Sequence, residues 1–573
     1  MRPSAPLLPV LLLAAACSTP EPKSAAPSAV EPARAALKSE VKALSAKAEA
    51  LLRAQDELVW KSWTEGTPAD LAKTYAGTEA WLTPAAIASV EKLHGMTTDA
   101  TERRALAHLH AYLVTEWLAQ NTVELSEAVA KLEQELTLGS GGQDRPYRNL
   151  EALLAGERSA LRRKSLYESA TPAVMRLSEL LAQRRVRTEA LVEHLGLAGP
   201  QLLTELREAS LDELVALANE VLDRTQPAFA TTLARLSWTE LQLPVERVTR
   251  ADVPRLFRLQ GPDASFPSSE IYPRALRTLA GLGIDLPAMR NVTVDLRTGP
   301  GKNPRGLVLG VVVPTDVRAS LLPVGGARDQ RETLHEMGHV VHDALTVERR
   351  WELAKLGNRT VAEAWSFLLE DLALDPLWLE RVAGLGGEAQ VAWRTSALAQ
   401  RLFLLRRAAG KVLYNAALRA PGADPKATYQ RVMTRVYGFP MTPADDERAE
   451  LDREEFLASG DYLQAFLLSA QLADALRTRF GPAWWQEKPA GDWVRQRLAP
   501  GTSLSAGELA RALGASVNVA AFLTTLPPTL GGPAPAAAAP VPPAPDAGPP
   551  GPPPAMDAGS PPPAAPSAPT DAF

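Results

Sequence analysis

The stretch Thr333-Leu334-His335-Glu336-Met337-Gly338-His339-Val340-Val341-His342 decides how the rest of the chain is read. It holds three of the chain's seven histidines and contains H-E-x-x-H. On a helix, residues four apart lie one turn apart on one face. His335 and His339 can therefore share one metal ion, with Glu336 between them in reach of a water at that metal. Upstream, Gly325-Gly326 breaks the preceding segment, and Asp329 with Glu332 has the spacing of a capping box, which predicts a helix start at Asp329. The alternative is a solvated helix with coincidental spacing. His342 is expected to pack or to assist nearby rather than to ligate.

A hydrolytic zinc site needs a third protein ligand and an open position. Downstream lies Thr360-Val361-Ala362-Glu363-Ala364-Trp365-Ser366-Phe367-Leu368-Leu369-Glu370. Glu363 and Glu370 fall two helical turns apart on one face. Glu363 is the candidate third ligand, and Glu370 a carboxylate that orients a histidine. Thr360 and Glu363 also have capping-box spacing, so a cap is the competing role for Glu363.

Together, His-Glu-Met-Gly-His-Val-Val-His and Glu-x-x-Ser-x-x-x-Glu resemble the thimet oligopeptidase and oligoendopeptidase F family. Those are mainly helical zinc peptidases of the gluzincin type, which cut short peptides inside a deep channel. The resemblance implies one zinc ion held by His335, His339 and Glu363, with Glu336 as general base and with Glu370 and Ser366 behind the ligands. The interval from His335 to Glu363 suits the oligoendopeptidase F branch. Two further segments fit. Gly301-Lys302-Asn303-Pro304-Arg305-Gly306 and the apolar run after it look like the family's edge strand, which would put Arg305 and Gly306 against a substrate added as a β-strand. Gly460-Asp461-Tyr462-Leu463-Gln464-Ala465-Phe466 resembles the family's tyrosine-bearing helix, implying Tyr462 as a catalytic donor; a core aromatic is its alternative role. Ala465 and Phe466 stand where another hydroxyl is expected, and the family's upstream histidine has no counterpart.

Outside these motifs the pattern is helical. Leu106, Leu109, Leu113 and Trp117 share one helical face, as do Leu125, Val129, Leu132 and Leu136, and Leu203 to Val221 continues the theme. Gly139-Ser140-Gly141-Gly142 reads as a break between helices. His108 and His110 read as packing or surface residues. Residues 292–296 and 306–313 read as strands. The expected fold is mainly α, a zincin-like helical peptidase fold with a small β-sheet next to the H-E-x-x-H helix. A helical region over 39–250 and a catalytic region over 251–526 are the expected divisions.

The chain of 573 residues carries 61 basic and 66 acidic residues, which argues against a nucleic-acid binder working through a broad basic field. Its one cysteine excludes an internal disulfide and a cysteine-rich zinc site. That cysteine, Cys17, follows a short apolar stretch and small residues, which resembles a bacterial lipoprotein signal over residues 1–17 with Cys17 as the acylated residue. Residues 18–38 read as a Pro/Ala-rich tether, and 527–573 as a disordered Pro/Ala-rich tail. The expectation is a lipid-anchored protein of the bacterial envelope, at the inner or the outer membrane, with Ser18 after the cysteine favouring the outer one facing the periplasm, acting as a monomer on oligopeptides. Its function is expected to be zinc-dependent hydrolysis of peptide bonds. The rival expectations are a catalytically impaired peptide-binding envelope lipoprotein on the same fold and a related exopeptidase, such as a carboxypeptidase or dipeptidase.

Overall fold

A computed structural model describes residues 30–527 and 530, apart from 141, 142, 198 and 260. Cys17, the signal-like stretch and nearly all of the 527–573 segment lie outside the described residues. The protein is mainly helical with small sheets. No helix among the described residues is long and apolar enough to cross a membrane.

The first helix, α1 (Val30–Glu65), begins inside the expected tether. Pro32 sits in its first turn, where a backbone N–H has no partner to lose, and the alanines and Lys38 that follow are good helix formers. Helix α2 (Ala100–Glu135) serves two cores at once. Leu106, Leu109, Leu113 and Trp117 bury one stretch of it against α1 and the helix Pro84–Met96. Val129 and Leu132, further along, join a second cluster with Leu136, Tyr147 and Tyr167. The glycine-rich break after α2 is a hairpin: β1 (Thr137–Ser140) pairs antiparallel with β2 (Gln143–Pro146), Ser140 opposite Gln143. Glycine-rich residues favour such tight connections.

After α3 (Thr171–His194), the short helix α4 (Gly199–Arg207) docks on α2 through the two histidines there. His108 lies 2.9 Å from Glu208, and His110 lies 2.8 Å from Glu205. Both histidines are buried, so their work is packing between helices.

The expected division at residue 250 does not divide the packing. The large core begins at Leu203, and α5 (Leu211–Leu236) belongs to it. Buried Arg406 donates from a later helix to Leu222 O and Thr225 Oγ1 of α5, each at 2.9 Å.

The second sheet holds β3 (Val292–Asp295), β4 (Leu307–Val312) and β5 (Asp316–Ser320) in the order β3-β5-β4. β5 runs parallel to β3 and antiparallel to β4. The central strand escapes the sequence pattern because Asp316, Arg318 and Ser320 alternate with only two small apolar residues. Its partners hold it instead. Val317 and Ala319 are fully buried, while Arg318 pairs with Glu57 at 2.8 Å and lies 6.0 Å above the Trp60 ring, both on α1. Among the described residues β4 has one neighbour in the sheet, and its other edge is unpaired there.

Helix α6 (Ala327–Ala344) carries H-E-x-x-H, and α7 (Arg359–Glu370) carries the second motif. Two long helices complete the surroundings, α8 (Gly387–Ala417) and α9 (Ser459–Phe480). The chain enters α9 through Phe456 and Leu457, at φ of 56° and 54°. Leu457 packs in the large core and Phe456 against the N-terminal one, so this left-handed turn joins the two.

Candidate metal centre

Helix α6 starts differently from its expected capping box. Gly326 is the N-cap, and Asp329 lies inside the first turn. The Asp329 carboxylate reaches back to accept from Val324 N and Gly325 N at 2.8 Å each, and Asp263 Oδ1 accepts from Ala327 N at 3.0 Å. Two acids thus tie the turn before the helix and its first N–H, and only Asp329 was legible locally. Leu334, Met337, Val340 and Val341 are buried along one side. His335, Glu336 and His339 occupy the opposite side and are half-buried.

Helix α7 is fixed at its N-terminus. The N-cap is Asn358, whose Oδ1 accepts from Thr360 N at 2.6 Å. Asn358 Nδ2 donates to Asp461 Oδ1 (2.9 Å) and to Leu206 O (3.1 Å), and Thr360 Oγ1 donates to Asp461 Oδ1 (3.3 Å). Asp461 also pairs with Arg207 of α4. The cap is therefore complete without Glu363, which lies a full turn further on and is 4% exposed.

What brings Glu363 to the histidines is the crossing of α6 and α7. A β-carbon on Gly338 would overlap Ser366 Cα and lie 2.9 Å from Ser366 N and Oγ. Only glycine lets the helices approach this closely. Ser366 is a small residue at that crossing; its Oγ is buried without a hydrogen-bond partner and bonds no candidate ligand. His335 Nε2 lies 3.5 Å and His339 Nε2 3.7 Å from Glu363 Oε2. All three ligand atoms fall within 4.8 Å of one another. A tetrahedral divalent cation with bonds of ~2.0–2.2 Å keeps its donors roughly 3.3–3.6 Å apart. The two histidine–carboxylate distances match that spacing, and the donor set of two imidazoles and a carboxylate is compatible with a metal ion.

Behind His335 stands a charged wall. His335 Nδ1 donates to Glu370 Oε2 at 3.0 Å, which turns Nε2 toward Glu363. Glu370 Oε1 meets Arg331 and lies 3.7 Å from Arg401 Nη1. Arg401 also pairs with Asp371 at 3.0 Å and lies 4.8 Å and 4.7 Å from the Phe367 and Phe466 ring centroids. Burial opposes the charge on Glu370, but Arg331, His335 and Arg401 outweigh it and hold the carboxyl well below the usual range.

The same balance sets the other groups. Burial works against a charged His335, yet its contacts with Glu363 and Glu370 prevail and raise it to about 10. Burial lowers His339 to about 4. Burial also disfavours a charged Glu363, but the two histidines and Arg359 hold it at about 2. Burial lifts Glu336 to about 7, with His335 pulling against that shift and the carboxylates of Glu363, Glu332 and Glu370 adding to it. That is a carboxyl able to take and return a proton near neutrality.

On the open side, a β-carbon on Gly306 would stand 2.5 Å from Glu336 Cγ, so the start of β4 lies against the Glu336 side chain. Arg305 is fastened through its backbone: its N–H donates to Asn303 Oδ1 (3.0 Å), and its carbonyl accepts from Trp63 Nε1 (2.8 Å). Burial lowers the Arg305 pKa, with Glu332 and Glu336 acting against that shift. Tyr462 is half-buried on α9. Its phenol is pushed up to about 12, first by burial and then by the charge of Glu363, so it stands near that ligand. Ala465 and Phe466 are buried in the large core.

The structure thus brings His335, His339 and Glu363 together, with Glu370 behind His335, Gly306 against Glu336, and Tyr462 within reach of the charge on Glu363. His342 is fully buried beside Asp343 and is not part of the ligand cluster. Sequence reasoning missed Arg331, Arg401, Asn358, Asp461 and Arg359. Arg331 sits one turn before His335 and could have been found by periodicity; Arg401 has no local signal. No protein-family profile matches the chain, and no curated protein matches it.

Proposed function

We propose that the protein is a zinc metallopeptidase of zincin-like fold that hydrolyses oligopeptides. One observation carries the reading: His335 Nε2, His339 Nε2 and Glu363 Oε2 lie at metal-sharing distances, with Glu336 beside them. Two imidazoles and one carboxylate form the donor set of hydrolytic zinc sites, and three protein ligands leave a position open. When bound, zinc polarises the peptide carbonyl and acidifies water.

The chain's own residues do the rest. Glu336 takes the proton of the attacking water as the new C–O bond forms and delivers it to the amine nitrogen as the C–N bond breaks. Glu370 holds the His335 ring by Nδ1. Tyr462 and Arg305 donate hydrogen bonds to the carbonyl oxygen as it gains charge. The unpaired edge of β4 receives an extended peptide. Resemblance to thimet oligopeptidase and oligoendopeptidase F, over the two zinc motifs, supports peptides as the substrate class. The lipoprotein-like signal at Cys17 supports a lipid-anchored place in a bacterial envelope.

The test is Glu336→Gln. This variant is expected to keep its zinc and lose turnover by about 10²–10⁴-fold. Turnover at the wild-type rate would sink the mechanism. One observation favours a second reading, peptide capture without cleavage: Ala465 and Phe466, about one turn after Tyr462 where the family resemblance calls for another hydroxyl, are apolar and buried in the core. Peptide affinity without hydrolysis in the zinc-loaded wild type would decide for it. End-blocked peptides separate an endopeptidase, which cuts them, from an exopeptidase, which does not.

A further inference from the structure

Arg359 stands at the first helical position of α7. The helix dipole favours anions there, and α7 has no acidic residue in its first turn. An arginine four residues before a glutamate is also the weaker orientation of a helical ion pair. Its side chain is 76% exposed, so packing does not hold it. Helix stability therefore gives no reason for an arginine at this position.

The neighbouring carboxylate gives one. Arg359 Nη2 donates to Glu363 Oε1 at 3.3 Å. The other oxygen, Oε2, is the atom 3.5 Å and 3.7 Å from the two histidine nitrogens. The two oxygens of one buried carboxylate thus have separate partners.

We infer that Arg359 is a positioning residue that occupies Glu363 Oε1 and limits Glu363 to one-oxygen coordination through Oε2. The inference rests on the proposed metal site. A carboxylate free at both oxygens can bind a divalent cation through both. That second contact would take space which water and substrate need. Arg359 keeps the site at three protein donors. The Arg359 side of the pair is exposed, so the effect is expected in coordination rather than in the fold.

The test uses full-length protein loaded with cobalt(II) in place of zinc, as wild type, Arg359→Ala and Arg359→Lys. The readout is the visible ligand-field spectrum, with thermal unfolding as a check that each variant folds. The wild type is expected to give the intense band of a low-coordinate ion. Arg359→Ala is expected to lose band intensity by roughly twofold or more, as a higher-coordinate ion does. Arg359→Lys, which keeps a cation at Oε1, is expected to return most of the wild-type spectrum. A folded Arg359→Ala protein whose spectrum superimposes on the wild type overturns the inference and leaves the metal site standing. A wild type that binds no cobalt overturns both.

Discussion

Gly338 and Ser366 meet where the two ligand-bearing helices cross, so closely that a β-carbon on Gly338 would overlap the Ser366 backbone. Ser366 lies just under one turn beyond Glu363, and Gly338 lies between His335 and His339. This contact therefore sets the distance between the histidines and the carboxylate. Gly338→Ala must push α7 away, at an overpacking cost of about 1–3 kcal/mol. The expected outcome is a lower Tm together with weaker zinc binding. Thermal unfolding with and without zinc checks it. An alanine variant with wild-type zinc affinity would show that the spacing is set elsewhere.

Glu370 is expected to matter through His335. Glu370→Gln keeps the shape but removes the charge that His335, Arg331 and Arg401 share. Loss of a carboxylate behind a ligating histidine costs about 10–100-fold in metal affinity or activity. Competition with a coloured chelator measures the affinity directly. Arg401 keeps Asp371 at 3.0 Å, so the helix contact itself is expected to survive.

Metal uptake is expected to release a proton. His335 is raised to about 10 in the metal-free protein, so at neutral pH it carries a proton that a metal must expel. Zinc affinity then climbs as pH rises toward about 10. Repeated zinc titrations in buffers of different ionisation enthalpy count the proton. The acid limb of catalysis has a different origin. Glu336 works as a base only when deprotonated, and burial lifts it to about 7 without metal. A cation nearby favours its charged form. Activity is thus expected to fall on acidification through a pKa at or below about 7, as a profile of kcat/KM against pH would show.

Gly306→Ala is expected to spare the metal and damage turnover. Its β-carbon would stand 2.5 Å from Glu336 Cγ and must displace that side chain, to which the three nearest atoms all belong. A misplacement of about 1 Å can cost roughly 10²-fold in rate. Zinc content near wild type with a depressed kcat is the expected pair of results.

How much of this was legible in the sequence depends on how local each signal is. His335, Glu336 and His339 declare themselves because one helical turn fixes their geometry. Glu363 and Glu370 follow for the same reason on the next helix. The strand at β4 shows as an apolar run, whereas β5 hides because Arg318 needs Glu57, far away in the chain, to make sense. The helix starts were only partly legible for a similar reason. Asp263 caps α6 from outside, and Asn358 draws its stability from Asp461. Arg401 is the extreme case, since its value lies in being held among Glu370, Asp371 and two phenylalanine rings from other helices.

The most direct measurement is zinc content and peptide cleavage on one preparation of the full-length protein. Quenched oligopeptides would be offered before chelation, after it, and after zinc is returned. The expected result is about one zinc per chain, cleavage that stops with the chelator, and cleavage that resumes with zinc. Cleavage indifferent to the chelator, or a purified protein that takes up no zinc, would contradict the proposed metallopeptidase.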